Sequence, residues 1–213
     1  MKIAKGSILV MTGDSITDVG RGRPVGEREG LGVGYVYFIG SFIGGVYPER
    51  RIRVLNTGTG GDTVRHLKAR WRHEVLDHKP NWLSVMIGTN DVWRQFDSIA
   101  TPEAAVQPDE FEHTYTELVK STRPKLDGMV LMTPFYVEPN KQEPMRARMD
   151  EYGAIVKRIA AAHDCICVDT QHYFDVACQS VYPGTLAGDR VHPSMYGAAI
   201  LARAFLNAVE FEF

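Results

Sequence analysis

The chain has 213 residues, 44% of them hydrophobic, and a formal net charge of −2 at pH 7. The length fits one soluble α/β domain over residues 1–213, although two small domains would also fit it, and the charge argues against nucleic acid or an anionic membrane as the main partner. Its three cysteines are not typical of a disulfide framework. No apolar run approaches the roughly 20 residues of a membrane span, and no cleavable leader is apparent, so we expect a cytoplasmic location.

The first predicted element is a buried strand that ends at a serine. Apolar and β-branched residues over 8–12 are followed by a break at Gly13, and Ser15 comes directly after that break. A strand, a glycine turn and a new amphipathic run are typical of an α/β fold, in which ligands bind outside the carboxyl ends of the strands. Because serine alone is a weak nucleophile, the rest of the chain has to supply a base and an oxyanion hole.

Four more strands alternate with helices along the chain. Strands are predicted at 51–56, 82–87, 129–133 and 165–169. Helices are predicted at 35–46, 64–78, 108–122, 143–162, 173–179 and from Ser194 onward. The alternation predicts a three-layer α/β sandwich, in which a five-stranded parallel sheet carries helices on both faces in a flavodoxin-like arrangement.

Two of these helices show a clear apolar stripe. In the helix at 64–78, which Asp62 or Thr63 could cap and Pro80 ends, the stripe has spacings of three and four residues. Its members are Val64, Leu67, Trp71 and Val75. The last helix carries a face of Ala198, Leu201, Ala202, Phe205, Leu206 and Val209. The glycine- and arginine-rich segment 20–30 is either a solvated connection or a rim that contacts a polar substrate.

Three predicted strands end in polar, glycine-containing turns, at 13–15, 60–62 and 88–91. In a parallel sheet these ends lie at one edge and can converge. The last loop adds Asp189 and His192, which have the residue types of a base and its orienting carboxylate. Backbone N–H groups of Ser15 and Gly61 and the amide of Asn90 are the candidate oxyanion donors.

The motifs Gly13-Asp14-Ser15, Gly61-Asp62-Thr63, Gly88-Thr89-Asn90-Asp91 and Asp189-x-x-His192-Pro193 resemble, in order and spacing, the four blocks of the SGNH, or GDSL-type, esterase family. The resemblance implies an SGNH hydrolase fold, the catalytic triad Ser15, Asp189 and His192, an oxyanion hole of Ser15, Gly61 and Asn90, and no metal or other cofactor.

Segments around these blocks are similar to those of intracellular bacterial acetylxylan esterases, at 63–71, 90–95, 132–136 and 189–194. That similarity implies a serine carboxylesterase acting on acetylated xylo-oligosaccharides or related sugars, and a homo-oligomer. Gly188 is a departure, because some members carry an aromatic residue there. Rival interpretations are an esterase, lipase or thioesterase of this family on other short-chain acyl substrates, a non-catalytic carbohydrate-binding module and a purely structural subunit.

Several residues have more than one interpretation. The candidate substrate contacts are Asp14, Arg23, Trp93 and Tyr136. For Asp14 the alternative is a hydrogen bond within its turn. Trp93, Phe135 and Tyr136 either line the acyl or sugar site or pack in the core. Ser15 and Asn90 could merely cap turns, and Asp91 is interpreted as structural support. His163, Cys165 and Cys167 share one predicted strand face, but we interpret the cysteines as small buried residues rather than metal ligands.

Overall fold

The computed structural model of the chain describes residues 1–26, 30–97 and 101–213. Within these ranges one parallel sheet has the strand order β2-β1-β3-β4-β5. The strands are β1 (Ile8–Gly13), β2 (Arg53–Asn56), β3 (Trp82–Met86), β4 (Gly128–Met132) and β5 (Ile166–Val168). This is the flavodoxin-like order, whose switch point lies between β1 and β3.

Helices cover both faces of the sheet, which confirms the predicted three-layer α/β sandwich. They are α1 (Ser15–Asp18), α2 (Tyr35–Val46), α3 (Val64–Arg70), α4 (Thr89–Asp97), α5 (Pro108–Thr122), α6 (Pro144–Ala162), α7 (Thr170–Ala177), α8 (Pro183–Leu186) and α9 (Met195–Ala208). Helix α9 packs on α2, α7 and α8, whereas α6 packs on α4 and α5, and α5 packs on α3. Short 3-10 turns lie at Pro48–Arg50, Leu76–His78, Pro102–Ala104 and Arg123–Lys125.

The apolar stripes predicted from the sequence face the core. All four stripe residues of the segment 64–78 and all six predicted for the last helix are buried; Val209 directly follows α9. The segment 64–78 is not one regular helix, however, because α3 ends at Arg70 and continues as a π-helical turn, Trp71–Val75, and a 3-10 turn, Leu76–His78. Trp71 stays buried through this change and donates a hydrogen bond from Nε1 to Thr122 Oγ1 at 3.0 Å.

Three local features differ from the sequence-based expectations. The residues 89–91, predicted as a turn, form the first turn of α4, and α8 occupies a stretch for which no helix was predicted. Cys167 is exposed and Cys165 is partly exposed, so the expectation that both are buried is wrong; β5 lies at the edge of the sheet and one side of it meets solvent. In the described part of the chain, none of the helices has the length and apolar character to cross a membrane.

Candidate active site

The turn after β1 sets the position of Ser15 at the switch point of the sheet. Gly13 pairs with Met86 of β3, and a Cβ atom on Gly13 would lie 2.2 Å from the Met86 carbonyl oxygen, so no side chain fits there. Asp14 then accepts a hydrogen bond from Ile16 N at 3.0 Å through Oδ1 and caps α1. Ser15 is therefore the first residue of a short helix at the carboxyl edge of the sheet, where ligands of such folds bind.

His192 connects Ser15 to Asp189. Ser15 Oγ lies 2.9 Å from His192 Nε2, and His192 Nδ1 lies 2.6 Å from Asp189 Oδ2. Asp189 Oδ1 also accepts hydrogen bonds from the backbone N–H groups of Val191 and His192, at 2.9 and 2.7 Å. Partial burial opposes ionisation of Asp189, but these hydrogen bonds outweigh it and lower its pKa. An ionised Asp189 is suited to orient the imidazole, with Nε2 facing the hydroxyl.

The loop that carries Asp189 and His192 is anchored through Arg190. This residue has a φ of 67°, in the left-handed region. Its guanidinium donates from Nη1 to Glu138 Oε2 at 2.8 Å and to Val137 O at 3.0 Å, while its carbonyl accepts from Val137 N at 2.9 Å. These contacts tie the loop of Asp189 and His192 to the segment that follows β4.

Gly61 and Asn90 lie on neighbouring segments that contact each other. Asn90 Nδ2 donates to Asp62 O at 3.0 Å, and Asn90 Oδ1 accepts from Arg94 Nη2 at 3.4 Å, which fixes the orientation of the amide. Gly61 has a φ of 82°, a conformation that favours glycine. Over residues 1–26, 30–97 and 101–213, neither Ser15 N–H nor Gly61 N–H donates to another protein group. These two N–H groups and the second amide hydrogen of Asn90 are available as donors.

Arg70 holds this loop against the sheet. Its Nε donates to Asp62 Oδ2 at 2.6 Å, its Nη1 to Thr57 O at 2.6 Å and its Nη2 to Gly13 O at 2.9 Å. One guanidinium thus joins the ends of β1 and β2 to the residue that follows Gly61. Burial nevertheless raises the pKa of Asp62, against the opposing effect of Arg70. Sequence reasoning missed Arg70, because a basic residue in the last turn of a helix is common and signals no role.

Two further carboxyl groups are buried beneath the site. Asp14 and Asp91 are 1% and 0% exposed. Burial raises the pKa of each to about 7, although each accepts a backbone hydrogen bond, Asp14 from Ile16 and Asp91 from Val64. The negative charge of Asp14 raises the pKa of Asp91 further. Because its side chain lies below the surface, Asp14 does not fit the expected role of a direct substrate contact; it holds the turn instead.

The other candidate substrate contacts occupy different places. The Trp93 ring lies 5.8 Å from the His192 ring, centroid to centroid, and is partly exposed beside the site. Tyr136 is partly exposed, and its backbone N donates to Gln171 Oε1 at 2.8 Å. Arg23 is ion-paired with Asp18 at 2.7 Å. Phe135 is fully buried and stacks on Phe174, so core packing describes it and a substrate contact does not.

A cleft opens next to Gly61, one of the candidate oxyanion donors. Its lining includes Gly61, Thr63, His66, Arg94 and Glu103. Elsewhere, the described residues contain no group of three or more histidine, cysteine, aspartate or glutamate side chains that could hold a metal ion. Residues 27–29 of the glycine- and arginine-rich segment lie outside the described residues, so its role as a substrate rim stays a prediction.

Comparison with known proteins identifies the family. Residues 11–200 match the GDSL-like Lipase/Acylhydrolase family. The chain belongs to this family. It is 52% identical to the acetylxylan esterase of Geobacillus stearothermophilus, an alignment that covers 100% of this chain and 98% of the relative.

Two solved structures agree closely with this fold. The crystal structure of the Geobacillus stearothermophilus acetylxylan esterase superposes with a TM-score of 0.97 at 52% identity, covering 100% of this chain and 98% of that one. LAE5, an α/β hydrolase from the metagenome of Lake Arreo, superposes with a TM-score of 0.96 at 45% identity, covering 99% and 98% of the two chains. Variants of the Geobacillus enzyme with alanine in place of a serine, an aspartate or a histidine are described as catalytic mutants.

Proposed function

We propose that this GDSL-family protein is a serine carboxylesterase that removes acetyl groups from xylo-oligosaccharides or related acetylated sugars. The observation that carries the proposal is the unbroken connection from Ser15 Oγ through the imidazole of His192 to Asp189, at 2.9 and 2.6 Å. The full-length similarity to an acetylxylan esterase supports the choice of acyl group and sugar. The serine, aspartate and histidine replaced in the catalytic mutants of that relative are residue types that match this trio.

In the acylation step, His192 takes the proton of Ser15 Oγ as that oxygen attacks the ester carbonyl carbon. Asp189 stabilises the imidazolium and keeps Nδ1 protonated. The negative charge that develops on the carbonyl oxygen is held by Ser15 N–H, Gly61 N–H and the amide of Asn90. Such donors act mainly on the transition state, because the charge is largest there.

His192 then returns its proton to the departing sugar oxygen, which leaves an acetyl group on Ser15. In the second half of the reaction, water gives a proton to His192 and its oxygen attacks the acetyl carbonyl. Collapse of this second tetrahedral intermediate releases acetate, and His192 protonates Ser15 Oγ again. Every proton is accounted for by one imidazole, and no metal or cofactor takes part in the proposed cycle.

Of the candidate substrate contacts, Trp93 is the one that the geometry supports best. Its partly exposed ring lies beside His192, where either a small acyl group or the sugar face could pack on it. Tyr136 and Arg23 remain candidates on the rim. A Trp93→Ala variant should raise KM for acetylated xylo-oligosaccharides more than it lowers kcat, since the ring touches no reacting atom. Loss of kcat with unchanged KM would assign Trp93 to positioning of His192 instead.

A substrate panel separates this proposal from its rivals. We expect acetate release from acetylated xylo-oligosaccharides to proceed with a higher kcat/KM than hydrolysis of long-chain p-nitrophenyl esters or of acetyl thioesters. A preference for long acyl chains would favour a lipase, and a preference for thioesters would favour a thioesterase. Efficient cleavage of p-nitrophenyl acetate without activity on the xylo-oligosaccharides would retain the esterase chemistry and reject the sugar.

We also propose that the chain forms a homo-oligomer and works in the cytoplasm on imported oligosaccharides. Support for oligomers comes from exposed apolar side chains on α2 and at the C-terminus, namely Tyr37, Phe42, Val46 and Phe213. Light scattering coupled to size-exclusion chromatography tests the first part, with a monomer mass contradicting it. Fractionation of the source cells tests the second, with recovery of the protein outside the cytoplasm contradicting it.

A further inference from the structure

Asp14 and Asp91 occupy matching positions beneath the proposed reaction centre. Asp14 follows β1, and Asp91 lies in the first turn of α4, which follows the neighbouring strand β3. Each Oδ1 accepts a 3.0 Å hydrogen bond from a backbone N–H, Asp14 from Ile16 and Asp91 from Val64. The first bond holds the helix that begins with Ser15. The second holds the start of α3 and so the end of the loop that carries Gly61.

The second oxygen of each carboxyl group is buried and lacks a partner. Among the described residues, Oδ2 of Asp14 and Oδ2 of Asp91 have essentially no solvent access and no hydrogen bond. A buried carboxylate with an unpaired oxygen is costly, because nothing replaces the water that it lost. Two such groups that repel each other are costlier still, and retention of a proton relieves both penalties.

The charges around the pair do not neutralise it fully. Asp14 faces His192 of the catalytic loop and Asp62 of the β2–α3 loop, and the hydroxyl of Tyr35 on α2 lies near it. Asp91 faces Asp14, Arg65 of α3 and Tyr152 of α6. Arg65 is itself paired with Glu110, at 2.6 Å between Nη2 and Oε2. Within the described part of the chain, each carboxyl group thus has one negatively charged neighbour and no cation that is paired with it alone.

We propose that Asp14 and Asp91 form a coupled positioning pair that holds at least one proton in the active enzyme. The enzyme loses activity when the pair loses that proton. Neither group touches the substrate; both act through the segments that carry Ser15, Gly61 and Asn90. Full ionisation would place two negative charges under a site where an oxyanion has to form. The inference rests on the proposed ester hydrolysis but on no particular acyl or sugar substrate.

The first experiment measures the protons directly, without turnover. Asp14→Asn and Asp91→Asn each keep an acceptor oxygen for the backbone N–H and cannot ionise. A ¹³C NMR titration of the aspartate carboxyl carbons in the wild-type enzyme should find two groups that titrate far above the rest, coupled to each other. In either variant one of these signals disappears and the other shifts to lower pH, because its negative neighbour is gone. Ordinary titration of all aspartates in the wild-type enzyme would overturn the proposal.

The second experiment is the pH dependence of kcat with p-nitrophenyl acetate, corrected for spontaneous hydrolysis. We expect the wild-type rate to fall on the alkaline side. Asp91→Asn should stay within about threefold of the wild-type rate at pH 6 and lose most of the alkaline fall. Asp169→Asn is the matched control. It alters a partly exposed aspartate that follows β5 and caps α7, and it should leave the pH profile of kcat unchanged. A loss of about 100-fold or more in Asp91→Asn at every pH would show that the negative charge is required, and would overturn the proposal.

Discussion

Arg70→Ala tests how far the site depends on residues that do not touch the substrate. In the wild-type chain, one guanidinium makes hydrogen bonds of 2.6, 2.6 and 2.9 Å to Asp62, Thr57 O and Gly13 O. The side chains of Arg70 and Asp62 are only 11% and 9% exposed, so solvent screens their pairing little. Removing one partner leaves a buried, unpaired carboxylate, and such changes cost about 3–5 kcal/mol of folding free energy.

The same substitution should slow the reaction. Asp62 O is the acceptor that fixes the amide of Asn90, and Asp62 follows Gly61 directly. A displacement of this loop by roughly 1 Å would lower kcat by about 10- to 100-fold, with a smaller change in KM. The loss of stability should be larger at pH 8 than at pH 5, because burial already raises the pKa of Asp62 and a protonated Asp62 needs no cation.

Urea denaturation at both pH values and kinetics with p-nitrophenyl acetate measure these effects. Arg65→Ala is the matched control on the same helix. Arg65 and its partner Glu110 are each 41% exposed, so this change should cost less than about 1 kcal/mol. The reasoning is refuted if Arg70→Ala loses no more stability than Arg65→Ala and keeps its kcat.

Three more predictions follow from the same geometry. Asn90→Ala should lower kcat by roughly 10²–10³, measured with p-nitrophenyl acetate, and a change below about twofold would remove Asn90 from the oxyanion hole. In the folded protein Asp14 and Asp91 hold their protons up to about pH 7, whereas the unfolded chain releases them near pH 4. The free energy of unfolding should therefore fall as the pH rises from about 4 to 7, by up to about 1.4 kcal/mol per pH unit for each group. Asp91→Asn should flatten that slope in denaturation curves, and an unchanged slope would contradict the assignment. Gly188→Trp should fold with an unchanged melting temperature, because Gly188 is exposed and a Cβ there meets no atom within 4 Å, and a marked drop would contradict this reasoning.

Much of this molecule could be predicted from the sequence, for identifiable reasons. Four of the five strands are predictable because buried parallel strands are largely continuous apolar runs, whereas the strand at 51–56 is indicated by alternating polar and apolar residues. The predicted helices at 35–46 and 108–122 have the observed bounds. Helix α4 was missed because its first turn, Thr89 to Asp91, has polar residues that are typical of a loop. Those polar side chains are nevertheless buried, and Asn90 and Asp91 bond to the backbone of Asp62 and Val64.

The limits of the sequence are clearest for long-range polar contacts. The candidate residues Ser15, Asp189 and His192 could be named because their types and motif spacing carry chemistry. The partners of Arg70 could not be named from the sequence. One of them, Gly13, is distant along the chain, and two of the acceptors are backbone carbonyls, which leave no signal in residue type. The burial of Asp14 and Asp91 was equally hidden, since both residue types are usually exposed.

Labelling with diethyl p-nitrophenyl phosphate tests the central claim most directly. The account predicts that the wild-type enzyme releases one p-nitrophenol per chain, loses activity in proportion, and carries a single phosphoryl adduct, which peptide mass spectrometry places on Ser15. Ser15→Ala should fold, take up no label and hydrolyse no p-nitrophenyl acetate. Label on another residue, or an active Ser15→Ala variant, would contradict the assignment of Ser15 as the nucleophile.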